Sequence, residues 1–247
     1  MAKKILRRRQ NPTILADKAF SYSFQKNFEL LAFDVEYFTR RMEQTILSDS
    51  QQQLLTKIGD TNLAEGFYLA GGTSLAIQLQ HRQSDDFDFF SEKEFDLKVL
   101  QEKLGEVFSY QLVLSERKTL YVRVKDISIS YIHYQYPLLR PVTEFQKGIF
   151  LASIEDIAAM KLATIAARGA KRDFVDLFYI CNRNFSLDKV FELYQQRFQP
   201  AASDRYHLLR SVTYFDDAED DPMPIIKNPT EWRSIKQFLI AEARKLQ

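Results

Sequence analysis

The chain has 247 residues, enough for one generous domain or two small ones, and its 45% hydrophobic content suffices for a proper core. Its 34 basic and 33 acidic residues nearly cancel, so no global field announces nucleic acid and any RNA-binding surface must be local. The single cysteine, Cys181, excludes an internal disulfide, the three histidines stand apart from any zinc-ligand spacing, and no run approaches the ~18 apolar residues of a membrane span, so a soluble protein of a reducing cytoplasm, with no membrane partner, is expected.

Residues 1–12, with Lys3, Lys4 and Arg7 to Arg9, read as a mobile basic tail; Gln10-Asn11-Pro12 follows where a secretion signal would need an apolar stretch. Between residues 26 and 58 the apolar positions Phe28, Leu31, Val35, Phe38, Met42 and Ile46 recur at helical intervals and predict an amphipathic helix on a core. Phe67 to Ala70 reads as a strand that ends at Gly71-Gly72, with Thr73 or Ser74 placed to cap a following helix. Leu97 to Val107 has helical spacing, while Tyr110 to Leu114, Leu120 to Val124 and Ile127 to His133 read as strands, the last two joined by a tight turn at Lys125-Asp126. Helices are predicted near 154–168, 172–182, 187–197, 203–214 and 231–245, with Pro200, Pro222, Pro224 and Pro229 in the gaps. The organisation is therefore a core over 13–150, with N-terminal helices and a small mixed sheet, followed by a helical domain over 151–247, the cleft lying where the two meet.

Two stretches carry chemistry. A helix that opens at Gly71-Gly72-Thr73-Ser74 offers free N–H groups to phosphate. After it comes His81-Arg82-Gln83-Ser84-Asp85-Asp86-Phe87-Asp88-Phe89-Phe90, in which Asp86 and Asp88 stand two residues apart on a strand. At ~3.3 Å rise per residue they share one face roughly 7 Å apart, with Asp85 turned away. Two carboxylates facing a phosphate cradle suit Mg²⁺, which takes one or two carboxylates along with waters and substrate phosphates. Arg82 can pair with phosphate or orient Asp86. Further on, Lys161 and Arg168 lie nearly two turns apart on one side of a helix, and Asp173 and Asp176 one turn apart on the next.

These residues resemble the nucleotidyltransferases of the DNA polymerase β superfamily, in the branch of the abortive-infection AbiEii/AbiGii toxins. The resemblance is carried by Gly71-Gly72-Thr73-Ser74-Leu75, by His81-Arg82-x-Ser84-x-Asp86-Phe87-Asp88-Phe89-Phe90, by Lys161-Leu162-Ala163, by Arg168 to Leu177, and by Tyr214 to Glu219, so that it spans about residues 65 to 225. It implies an α+β fold, a polymerase β-like core of small mixed sheet and helices plus a C-terminal helical bundle. It also implies a Mg²⁺-dependent, or Mn²⁺-dependent, transfer of a nucleotide from an NTP to a hydroxyl acceptor, with tRNA leading among acceptors and a separate antitoxin protein as partner. Asp86 and Asp88 would be the metal ligands. Gly71, Gly72, Thr73, Ser74, Arg82, Ser84 and Arg168 would handle the nucleotide, Lys161 its phosphates, and Asp176 or Asp173 would orient those cations or help activate the attacking hydroxyl.

One departure stands out. Superfamily members often carry a third metal-binding carboxylate on a later central strand, and here that strand reads Ile127-Ser128-Ile129-Ser130-Tyr131-Ile132, the nearest acid being Asp126 in the turn. A degenerate nucleotide-binding or partner-binding module of the same fold is therefore the alternative, and a small-molecule nucleotidyltransferase a third reading. The acidic run from Asp216 to Asp221 reads as a solvated loop, His81 as a contact behind the motif arginine, and His133 and His207 as incidental.

Overall fold

A computed structural model describes residues 46–199 and 204–246; the basic tail and most of the helix expected over 26–58 lie outside them. The first described helix, α1 (Asp49–Asp60), starts afresh at Ser48. Its hydroxyl accepts the Gln51 N–H while the Gln51 side chain accepts from the Ser48 N–H, the reciprocal box that opens helices. Ile46 therefore precedes this helix and does not extend it.

Among the described residues seven strands form one mixed sheet: β1 (Tyr68–Ala70), β2 (Phe87–Ser91), β3 (Gln111–Glu116), β4 (Thr119–Val124), β5 (Ile127–His133), β6 (Thr143–Gln146) and β7 (Ile149–Leu151), in the spatial order β3-β4-β5-β2-β1-β7-β6. β2 runs parallel to β5 and β1 to β7, the other pairs being antiparallel. The turn at Lys125-Asp126 joins β4 to β5 as expected, with Val124 opposite Ile127. The β3–β4 turn is made by Arg117 and Lys118, both at positive φ, a two-residue hairpin conformation that glycine or asparagine would normally advertise. The β6–β7 hairpin was not foreseen, because its edge strand Thr143–Gln146 is half-exposed and carries no clear alternation.

Strand alternation sends residues to two cores. Leu69, Phe87, Phe89, Leu120, Val122, Ile129 and Tyr131 pack with α1 and with α3 (Leu97–Val107) on one face. Tyr68, Ala70 and Phe90 turn to the other face, against the helices that follow the sheet. Those are α4 (Ile154–Ala167), α5 (Lys171–Arg183), α6 (Leu187–Phe198), α7 (Arg205–Thr213), the single turn α8 (Asp216–Glu219) and α9 (Trp232–Arg244). The helix α2 (Gly71–Leu79) springs directly from β1 and contributes Leu75 and Leu79 to that second core.

A fully buried Arg197 on α6 pairs with Asp156 on α4, whose carboxylate also accepts the N–H groups of Leu139 and Arg140 at 2.8 and 3.2 Å. This anchors the connection after β5 to the bundle. Nothing in the hydrophobic pattern of α6 announced a buried arginine.

Candidate active site

Alternation along β2 points Asp88 toward the helical face, and parallel pairing with β5 sets Ser130 beside it. The Ser130 hydroxyl donates to Asp88 Oδ1 at 2.6 Å, so the position where a third carboxylate was sought holds a donor to the first. Burial and the neighbouring Asp86 charge push the Asp88 carboxyl above its usual range, against the lowering effect of the Ser130 hydrogen bond. Asp86 itself precedes β2, so strict alternation does not govern residues 85 and 86. Asp85, expected to turn away, lines the same cavity.

The glycine pair has a physical explanation that the sequence did not supply. Gly71 has φ +65°, and a Cβ there would sit 2.8 Å from Asp88 Oδ2. A Cβ on Gly72 would come within 2.4 Å of Arg82 Nη2 and 3.1 Å of Ser84 Oγ. Both glycines thus let side chains of the acidic segment lie flat against the start of α2. No side chain caps that helix. Thr73, read as a possible cap, instead lies inside the first turn, where its hydroxyl donates to the Asp86 carbonyl and pairs with Ser84 Oγ; Ser74 is wholly buried. An uncapped helix start of this kind suits an anion.

Arg82 does not reach toward Asp86. Its guanidinium grips Asp176 on α5 with two bonds, Nε to Oδ1 at 2.6 Å and Nη2 to Oδ2 at 2.8 Å. Asp176 Oδ1 also accepts from His81 Nε2 at 2.8 Å, and its Oδ2 pairs with Lys161 Nζ at 2.6 Å. Burial alone would raise the Asp176 carboxyl, but Lys161 and Arg82, with hydrogen bonds from Arg82 and His81, hold it well below the carboxylate range. Lys161 in turn bonds Asp173 Oδ1 at 2.8 Å; the two carboxylates outweigh the effect of burial and raise its pKa, so it is an ammonium at neutral pH. The Lys161 side chain lines the cavity while buried among ion pairs.

Because the Arg82 guanidinium is fixed by a bidentate ion pair, it cannot swing away from a new methyl group. Gly72→Ala is therefore expected to lose about 1–3 kcal/mol of unfolding free energy, the scale of an overpacked site. Chemical denaturation checks this, and an unchanged midpoint would contradict the packing. His81 carries a second consequence. Burial drives its imidazole pKa down, more than Asp176 draws it up. An unfolded histidine takes a proton below about pH 6.5 that the folded one refuses, so stability falls as pH drops through that window, by at most ~1.4 kcal/mol per unit. His81→Gln retains a donor for Asp176 and should remove this fall, so that the wild type loses stability relative to the variant from pH 7 to 5; parallel profiles would contradict the reading.

These parts border one cavity of about 660 Å³. Of the sequence-derived candidates, Gly71, Gly72, Arg82, Ser84, Asp86, Asp88, Lys161, Arg168 and Asp173 line it, whereas Thr73, Ser74 and Asp176 support it from behind. Arg168 and Arg172 bring two cations from the bundle side, Arg168 being largely exposed and 3.8 Å from Asp173. Part of the wall is Pro222-Met223-Pro224-Ile225, which no motif flagged. It is held there by long-range pairing: Gln83 N–H donates to the Ile225 carbonyl, Lys227 N–H to the His81 carbonyl, and Arg82 bridges Ile226. The acidic run just before it is exposed at Asp216, Asp217, Glu219 and Asp220, as expected, but forms the helical turn α8 and makes specific bonds. Asp221 accepts the Lys171 N–H at the start of α5, and Glu219 takes bonds from Trp232 and Lys236.

Among the described residues no cluster of three or more histidine, cysteine or carboxylate ligands is gathered for a metal. Asp86 and Asp88 nonetheless fit a hard divalent cation: two mutually repelling carboxylates at a cavity wall, Asp88 oriented by the Ser130 hydroxyl on one oxygen and with a glycine beside the other, suit Mg²⁺, whose other positions go to water and phosphate.

The architecture is that of a polymerase β-like nucleotidyltransferase. At the level of solved structures the chain is similar to a candidate nucleotidyltransferase from H. pylori (TM-score 0.50, 20% identity, 81% of this chain and 96% of that one) and to MenT4, a nucleotidyltransferase toxin from Mycobacterium tuberculosis H37Rv (TM-score 0.50, 18% identity, 85% and 90%). Residues 53–114 and 135–245 match the family described as nucleotidyl transferase AbiEii toxin, Type IV TA system, and the chain belongs to that family. An uncharacterised protein of Aquifex aeolicus (strain VF5) is 33% identical over 196 residues, covering 78% of this chain and 93% of the relative. No helix among the described residues is long and apolar enough to cross a membrane.

Proposed function

We propose that the chain is a Mg²⁺- or Mn²⁺-dependent nucleotidyltransferase that takes an NTP and moves its nucleotide to a hydroxyl of RNA, the 3′ end of tRNA being the leading acceptor. In this reading it is a toxin restrained by a separate antitoxin. The observation that carries it is the meeting of Asp86 and Asp88 with the uncapped start of α2 and the Lys161 ammonium in one cavity.

Nucleotidyl transfer is mostly positioning and charge neutralisation. The amides at Gly71 and Gly72 receive the outer phosphates, and Lys161, fixed by Asp173 and Asp176, places a permanent positive charge on the opposite wall. Asp86 and Asp88 would hold the ion, which supplies charge stabilisation at the phosphoryl oxygens. Asp176 has both oxygens engaged by cations and acts by positioning Lys161 and Arg82, not by touching substrate. Arg168 and Arg172 stand at the mouth for phosphates of either substrate.

Ser130 at the third-acid position favours a second reading, a nucleotide-binding module without turnover. Purified protein with labelled NTPs, Mg²⁺ or Mn²⁺ and total tRNA separates them. Label in RNA supports the transferase; label only in added small-molecule acceptors supports a small-molecule nucleotidyltransferase; nucleotide binding with no transfer under either metal supports the module.

A further inference from the structure

One row of residues crosses the sheet under the cavity. Ala70, the last residue before the glycine turn, pairs with Asp88; Asp88 pairs with Ser130; Ser130 pairs with Tyr121 on β4. Strands lie ~4.8 Å apart, so Tyr121 stands about 10 Å beyond Asp88, on the side opposite the glycine turn. Its neighbours Leu120 and Val122 are buried in the other face, while Tyr121 lines the cavity with 37% of its surface exposed. The same cavity is also lined by Met223 and Ile225, 38% and 68% exposed, which give it apolar surface. The next residue on that face of β4, Arg123, is also exposed.

In-line displacement puts the entering oxygen and the leaving pyrophosphate on opposite sides of the α-phosphorus. With the outer phosphates at the glycine turn, the entering hydroxyl comes from the Ser130 side, and the sugar and base that carry it extend over Tyr121. Polyphosphate handling needs cations and amides; an open tyrosine in a cavity that also carries apolar lining serves a flat, uncharged ring. We infer that Tyr121 is the stacking platform for the terminal base of the acceptor strand, with Met223 and Ile225 closing over its other face and Arg123 near the preceding phosphate. This deepens the transferase reading and rests on it for the direction of approach. Recognition by stacking tolerates any base, so Tyr121 sets where the strand ends and not which sequence it has.

The test is a binding cycle on the full chain, without NTP, using a short single-stranded RNA whose 3′-terminal nucleotide either carries its base or is abasic. Removing the base is expected to weaken binding to the wild type by about tenfold, within the range for a base stacked on an aromatic ring. Tyr121→Ala should weaken the intact RNA equally and the abasic RNA hardly at all, while Tyr121→Phe binds like the wild type. NTP affinity should be the same in all. Losses that simply add, an effect of Tyr121→Ala on the NTP in place of the RNA, or no RNA binding by the wild type would overturn the assignment. Coupling between base and ring in a protein that transfers no nucleotide would instead defeat the transferase reading and leave this platform standing.

Discussion

Asp88→Asn is expected to lower nucleotide transfer by at least about 10³-fold, some 4 kcal/mol of transition-state stabilisation, while leaving the protein as stable as before or more so. The two halves of this result have one cause. Asp88 is held beside Asp86 in a partly desolvated wall, and its raised pKa says that the folded chain resists its charge. Asparagine keeps the shape and an oxygen for the Ser130 hydroxyl, removes the repulsion, and removes the charge that would draw a divalent ion. Labelled-NTP transfer and thermal melting of the same preparation decide it. Turnover within tenfold of the wild type would remove Asp88 from the chemistry, and a markedly lower melting temperature would show that its charge serves the fold.

Asp176→Ala is expected to cost about 3–5 kcal/mol of stability, because it strands buried Arg82 and Lys161 without their shared counter-ion. Lys161→Ala should cost less, about 1–3 kcal/mol, since Asp176 keeps both bonds from Arg82 and one from His81. Its activity should nevertheless fall, because the ammonium at the cavity wall is gone. The ordering is the point: if Asp176 were a metal ligand instead of the centre of an ion-pair cluster, its loss would abolish transfer and leave urea denaturation near wild type. An Asp176→Asn variant, which retains shape and one acceptor oxygen, should fall between the two, and provides a folded protein for the comparison should Asp176→Ala not fold.

Much of this arrangement was legible in the residues. Strong periodicity placed α3 to α5 and α9 close to their observed ends, and the family resemblance together with the Gly-Gly and Asp-x-Asp spacing brought the right two segments to one cleft. Less visible was anything that depends on a partner distant in the chain. Arg82 was weighed against phosphate and Asp86, yet it is taken by Asp176, 94 positions away. Tyr121 looked like one more strand residue, and Pro222 to Ile225 like a spacer between helices. Local spacing predicts which face a side chain leaves from; it says nothing about what waits on that face.

Length, periodicity and turn residues sufficed for most element types, the order of sheet before bundle, and Asp88 on the strand after the glycine turn, because these follow from backbone sterics and local alternation. Packing alone decided that Lys161 is buried, that Asp176 works through other side chains, and that Ser130 stands at the vacant acidic position as a donor to Asp88. Charge in a low-dielectric interior must find its counter-charge wherever the fold brings one, and that pairing is a property of three-dimensional proximity that no spacing along the chain encodes.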